Sequence, residues 1–136
     1  MATTIPFKLI TPTKVVFEGD AELVIATTTE GEEGILAHHA PFLAALRPGV
    51  LRANVVEDGV ARRLELATRE GFMQALPDRV TVLVDEALVF DDIDVAASRD
   101  ELSAATERQK TAGPQGYAHE QSAIDFASAK LRVTGH

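Results

Sequence analysis

Residues 50–67 read VLRANVVEDGVARRLELA, and this stretch decides the fold. Two apolar-rich runs, Val50 to Val56 and Val60 to Ala67, flank Glu57-Asp58-Gly59. Asp-Gly between such runs is the signature of a tight β-hairpin, whose central residues need positive φ. The pattern repeats at once. Gly71-Phe72-Met73-Gln74-Ala75 and Arg79-Val80-Thr81-Val82-Leu83-Val84 flank Leu76-Pro77-Asp78, a second hairpin.

Upstream, Ile5, Phe7 and Leu9 alternate with Pro6 and Lys8, the period-2 signal of a half-buried strand. Thr11-Pro12-Thr13 interrupts the run, Val15 and Phe17 resume it, and Gly19-Asp20 is expected to turn the chain. Ala21, Leu23 and Ile25 then alternate with Glu22, Val24 and Ala26, and Leu88-Val89-Phe90 ends the region. Short strands with turn signals about every ten residues predict an antiparallel sandwich or barrel over residues 1–90.

Glu30 to Gly49 is the least regular part of this region. Glu30-Gly31-Glu32-Glu33-Gly34 reads as a polar, glycine-flanked turn, Ile35 to Pro41 as a short apolar segment holding His38 and His39, and Phe42 to Leu46 as an apolar run. The expectation is a long, shaped loop on a β scaffold, and such loops often carry function. Pro41 suits a strand start or an edge, because it cannot donate to a ladder.

The grammar changes after Phe90. Asp91, Asp92 and Asp94 offer helix caps and favourable charge at a helix N-terminus. Val95 to Lys110 holds no proline or glycine, Gly113-Pro114-Gln115-Gly116 breaks the helix, and Tyr117 to Val133 resumes it. Residues 91–136 are therefore expected to form an antiparallel αα-hairpin. Its apolar residues are few and small: Val95, Ala96, Leu102 and Ala105 on the first helix, and Tyr117, Ile124, Phe126, Ala127 and Leu131 on the second. Area burial at about 25 cal/mol per Å² then gains little against the entropy of ordering. The hairpin is expected to hold weakly to the β part, as an element that a partner can move.

Composition closes several routes. The chain has 136 residues and a net charge of −8, with 13 Lys and Arg against 21 Asp and Glu, which disfavours nucleic acid and anionic headgroups. It has no cysteine, so thiolate metal sites, disulfides and a cysteine nucleophile are excluded. No apolar run reaches the roughly 18 residues of a membrane span, and no secretory leader is expected at the N-terminus. The helical serines, Ser98, Ser103, Ser122 and Ser128, lack any triad signature, and the carboxylates form no acid–base pair beyond the helix start. No catalytic constellation is expected.

Several segments, in order, resemble the epsilon subunit of F-type ATP synthase. They are Phe17-Glu18-Gly19, Glu30-Gly31-Glu32 with Gly34-Ile35-Leu36, His39-Ala40-Pro41, Leu46-Arg47-Pro48-Gly49-Val50, Gly71-Phe72-Met73 and Val80-Thr81-Val82-Leu83, with Asp92-Ile93-Asp94 and Ala129-Lys130-Leu131-Arg132-Val133 in the tail. The resemblance implies a flattened ten-stranded antiparallel β-sandwich followed by a regulatory αα-hairpin. It implies a non-catalytic subunit at the foot of a rotary central stalk, packed on the gamma subunit and the ring of c subunits. By the same resemblance that subunit would couple proton-driven ring rotation to ATP synthesis, peripheral to the cytoplasmic face of a bacterial plasma membrane and not inserted in it. The extended hairpin would reach the alpha and beta subunits and restrain ATP hydrolysis. The rival reading, from a different class, is an adaptor β-sandwich whose helical tail binds an unrelated protein or peptide.

The same resemblance supplies site candidates. Thr11, Glu32 and His39 fall at positions of the sandwich end that meets the c-ring. Without it, Glu30–Gly34 reads equally as a solvated turn, and His38-His39 reads as packing: adjacent residues of an extended segment point to opposite faces and chelate one ion poorly. No metal site is expected. ATP as a weak regulatory ligand would draw on Asp94, Arg99 and Lys130, with Arg132 a further cation. The family's ATP motif, however, wants an arginine at Ala97, and Phe126 stands where another would be. A triphosphate needs several cationic partners, so the arrangement is depleted and no cofactor is assigned.

Overall fold

The computed structural model describes residues 3–136. Nine strands precede two helices: β1 (Ile5–Ile10), β2 (Val15–Thr28), β3 (Gly31–Ile35), β4 (Phe42–Leu46), β5 (Gly49–Glu57), β6 (Val60–Thr68), β7 (Gly71–Leu76), β8 (Arg79–Val84), β9 (Ala87–Leu88), α1 (Val95–Gln109) and α2 (Pro114–Val133). Hydrogen-bonded neighbours run β1-β8-β7-β4-β2-β5-β6-β9, with β3 on β2 and β1 also paired to β2. Two layers result, one of β4, β7, β8, β1 and the first half of β2, the other of the second half of β2 with β3, β5, β6 and β9.

The β5–β6 hairpin forms as its sequence dictates. Its register pairs Glu57 with Val60 and Gly49 with Thr68. Asp58 and Gly59 both adopt positive φ, 52° and 77°, the pair of left-handed residues that a tight turn between twisted strands requires. The β7–β8 hairpin pairs Gly71 with Val84 and Leu76 with Arg79. Gly71 is obligatory for another reason: a Cβ there would sit 1.9 Å from the Leu83 carbonyl oxygen.

Four sequence expectations need correction. The sandwich has nine strands among the described residues, not ten. It is not wholly antiparallel, because β1 and β8 run parallel, Phe7 beside Val80 and Ile10 beside Leu83. Gly19-Asp20 does not end a strand; β2 runs through it for 14 residues, and its register on β5 shifts between Ala21 and Leu23. That bulge flips the alternation, so Val24 and Ala26 are buried while Leu23 and Ile25 are only partly covered. Finally, Gly31 to Ile35 is not a turn but strand β3, antiparallel to Val24–Thr28. The loop is confined to residues 36–41, and β4 starts directly after Pro41.

The core lies between the layers, with Ile5, Phe7, Leu9, Leu51, Val55, Leu66, Met73 and Val82 among its buried members. The helices cover the outside of the β5–β6 layer. Odd-numbered Leu51, Ala53 and Val55 face the core, whereas Val50 faces outward and meets Ala67, Phe126 and Ala129 in a second, smaller cluster that Leu88, Ile93 and Val133 flank. Asp94 caps α1, its carboxylate accepting from the Ala97 amide at 3.0 Å. Helix α2 starts earlier than expected, at Pro114 with Gly113 as its cap, which uses the fixed φ of proline at the first helical position. Tyr117 stays exposed, while Lys130, unflagged by its polarity, is buried with Phe126, Ala127, Ala129 and Leu131.

Candidate interaction surfaces

Strand pairing builds one apolar surface that the helices leave open. Paired residues point to the same face of a sheet, so the register can be read as rows. One row crosses five strands: Val15 opposite Ile10, Ile10 beside Leu83, Leu83 opposite Phe72, and Phe72 opposite Ala45. Leu43 stands two residues along β4 on the same face. Leu43, Phe72, Leu83 and Val15 are 70%, 56%, 42% and 52% exposed, although their neighbours Met73, Val82 and Leu46 are buried. Lys8, Thr81 and Gln74 form the polar row beside them. A contiguous apolar row with a polar border marks an interaction surface, where scattered exposed side chains would not.

The three ring-contact candidates are not brought to one place. Past Ile10, Thr11 closes the β1–β2 turn: its amide donates to the Lys14 carbonyl at 2.9 Å. Glu32 pairs with Thr27 at the same end of the sandwich, since the adjoining Thr28 pairs with Leu46 and Leu46 with Gly71. It accepts from Arg52 Nη2 at 2.9 Å across the β3–β2–β5 face, with both side chains partly exposed. His39 lies at the opposite end, where the His38 amide donates to the Pro77 carbonyl. Its ring meets Phe42 edge-on at 5.1 Å, and its Nδ1 is 2.8 Å from the Ala40 carbonyl oxygen. The segment is not extended as expected: His38 adopts φ of 66°. Among the described residues no group of three or more His, Cys, Asp or Glu side chains is placed to hold a metal ion.

Nor do Asp94, Arg99 and Lys130 surround a common space. Asp94 is engaged as the α1 cap. Arg99 Nη2 lies 3.2 Å from His136 Nδ1. Lys130, on α2, is ion-paired with Glu101 on α1 and sits with its Nζ 4.8 Å from the centre of the Phe126 ring. A cleft of about 370 Å³ does open beside α1 and α2, but its lining is Arg69, Asp100, Glu101, Ala104, Arg108, Ala123 and Phe126.

The residue that sequence reasoning missed is Arg69. Its guanidinium carbon lies 4.2 Å from the centre of the Phe126 ring, on a loop of the sandwich. Glu86 holds it there twice: the Arg69 amide donates to the Glu86 carbonyl, and Arg69 Nε donates to the Glu86 carboxylate at 2.9 Å. No local pattern announces such a contact, because residues 69 and 126 meet only after the hairpin has docked.

Residues 4–89 match the family described as "ATP synthase, Delta/Epsilon chain, beta-sandwich domain". Over 128 residues the chain is 34% identical to the ATP synthase epsilon chain of Ruminiclostridium cellulolyticum, covering 93% of this chain and 92% of that one. It is 37% identical over 134 residues to ATP synthase epsilon chain 1 of Methylococcus capsulatus, covering 98% and 94%. Its fold superposes with a TM-score of 0.80 at 21% identity on a chain of the Euglena gracilis mitochondrial ATP synthase, a cryo-EM structure of OSCP, F1 and the c-ring, covering 98% of this chain and 82% of that one. The adaptor reading finds no support in these similarities.

Proposed function

The chain belongs to the ATP synthase epsilon-chain family, and from that premise we propose that it is the non-catalytic rotor subunit that joins the gamma subunit to the c-ring. The observation that carries this reading is the open apolar row of Val15, Ile10, Leu83, Phe72 and Ala45, with Leu43 beside it. Gamma packs on this row. A permanent partner is the simplest reason for a protein of net charge −8 to leave Leu43 and Phe72 more than half exposed.

The ring contact falls to the end that holds Thr11 and Glu32, where acidic side chains set register against polar ring loops. His39, at the other end, serves the gamma side through the Phe42 segment. The subunit works peripherally, on the cytoplasmic face of a bacterial plasma membrane; no helix of the described residues is long and apolar enough to cross a bilayer. The α1–α2 hairpin restrains ATP hydrolysis when it leaves the sandwich and reaches alpha and beta. ATP has at most a weak regulatory role, because Asp94, Arg99 and Lys130 are each engaged within the chain.

Co-expression with the gamma subunit of the same organism tests the reading. The expected product is a stable one-to-one complex that Phe72→Asp abolishes. A wild-type chain that elutes alone at micromolar concentration would overturn it.

A further inference from the structure

Two cations approach the Phe126 ring. The Arg69 guanidinium carbon lies 4.2 Å from its centre and Lys130 Nζ 4.8 Å. Each cation is tied to a carboxylate on a different element: Arg69 to Glu86 in the sandwich, Lys130 to Glu101 on α1. The result is a continuous chain of five side chains, Glu86–Arg69–Phe126–Lys130–Glu101, that runs from the sandwich through α2 to α1. Phe126 and Lys130 are four residues apart on one helix face, so the helix itself sets their spacing. Phe126 is 2% exposed and the Lys130 side chain 9%, so the contact between ring and lysine is largely desolvated, whereas the Arg69 side chain keeps 39% of its surface open to water.

We infer that this five-residue chain is the latch that holds the helical hairpin on the sandwich. The rest of the contact is thin. Val50, Ala67 and Ala129 are small side chains, and the partly covered Leu88, Ile93 and Val133 only border them. Helix α1 packs on α2, and the Lys130–Glu101 pair ties it to this chain of contacts. The latch deepens the reading of a movable hairpin and rests on it only for its effect in the assembled synthase.

Hydrogen exchange on the full isolated chain, read by mass spectrometry, tests the latch. Phe126→Leu keeps an apolar side chain but removes the ring. It is expected to raise α2 exchange about tenfold, between the factor of an exposed cation–π contact and that of a desolvated one, while β5 and β7 stay protected. Phe126→Tyr keeps the ring and should keep the protection. Arg69→Gln, between β6 and β7 and outside the main core, should loosen α2 in the wild type and add little in the Phe126→Leu background. Unchanged α2 exchange in Arg69→Gln would overturn the latch. So would independent, multiplying effects of the two substitutions, which would leave apolar burial alone as the cause. If exchange responds as expected while the ATPase rate of the assembled complex does not, the latch stands and the inhibitory role of the hairpin falls.

Discussion

Phe72 on β7 and Leu83 on β8 stand directly opposite each other, both turned to solvent, while Met73 and Val82, one residue along on each strand, are fully buried. The same alternation that builds the core therefore builds an apolar exterior, and an exterior of this kind is informative only because its strand neighbours continue it. Replacing Phe72 with Asp removes no core contact. It should change the stability of the isolated chain by no more than about 0.5 kcal/mol, as surface substitutions do. Affinity for gamma should fall at least thirtyfold, as expected where an aromatic anchor worth about 2 kcal/mol is lost. Urea unfolding and a binding titration on the same variant separate the two effects.

Removing residues 91–136 should leave a folded sandwich that still binds gamma, because the main core contains no helical residue. The truncated chain would expose Val50 and Ala67, which α2 covers, and should therefore self-associate more readily. In the assembled complex its ATPase rate should rise. Circular dichroism, light scattering and a turnover assay report the three outcomes; an unfolded truncation or an unchanged rate counts against the division of labour between sandwich and hairpin.

Gly71→Ala should destabilise the sandwich by about 2–4 kcal/mol, read from the urea midpoint. The added methyl would meet the Leu83 carbonyl oxygen at 1.9 Å and the Val84 Cα at 2.7 Å, both backbone atoms that move only if the β7–β8 pairing opens.

Asp94→Ala removes the carboxylate that accepts from the Ala97 amide, and should cost α1 about 1 kcal/mol. The loss should appear as faster exchange in the first turn of α1 while β1 to β8 remain protected. Asp94→Asn, which keeps an acceptor at the cap, should restore most of it.

Millimolar ATP should leave the melting temperature of the isolated chain within error. A ligand that binds the folded state raises stability with the logarithm of its concentration over Kd, so a shift that grows with ATP would overturn the minor role given to the nucleotide.

Local chemistry made much of this molecule readable. Asp58-Gly59 specified its turn because the requirement, positive φ at two adjacent residues, is written in the residues themselves. Asp94, one of three candidate caps, was readable from its own side chain, whereas Pro114 read as part of a break and is the first residue of α2. The parallel pairing of β1 with β8 was not readable, because it depends on which strands meet across a closed sandwich. The bulge after Ala21 was equally hidden, since it arises where β2 passes from one layer to the other. Glu32 read as a turn residue because glycines flank it, yet pairing with β2 makes a strand of that segment regardless of propensity. The burial of Lys130 needed Glu101, a residue on another helix, to be in place first. Thr11 and His39 were grouped by resemblance alone, and the register sets them at opposite ends.

Strand β2 carries one more implication. It descends beside β1 in one layer, turns the corner at Asp20–Glu22 and climbs beside β5 in the other. The layers are thus joined by unbroken covalent backbone as well as by side chains packed between them. A tangential force applied to the open face can reach the far layer as tension along that backbone, loading the flanking ladders in shear, where many hydrogen bonds resist at once. In the proposed role between ring and shaft, the sandwich would act as a stiff coupling, with compliance left to the helices outside it.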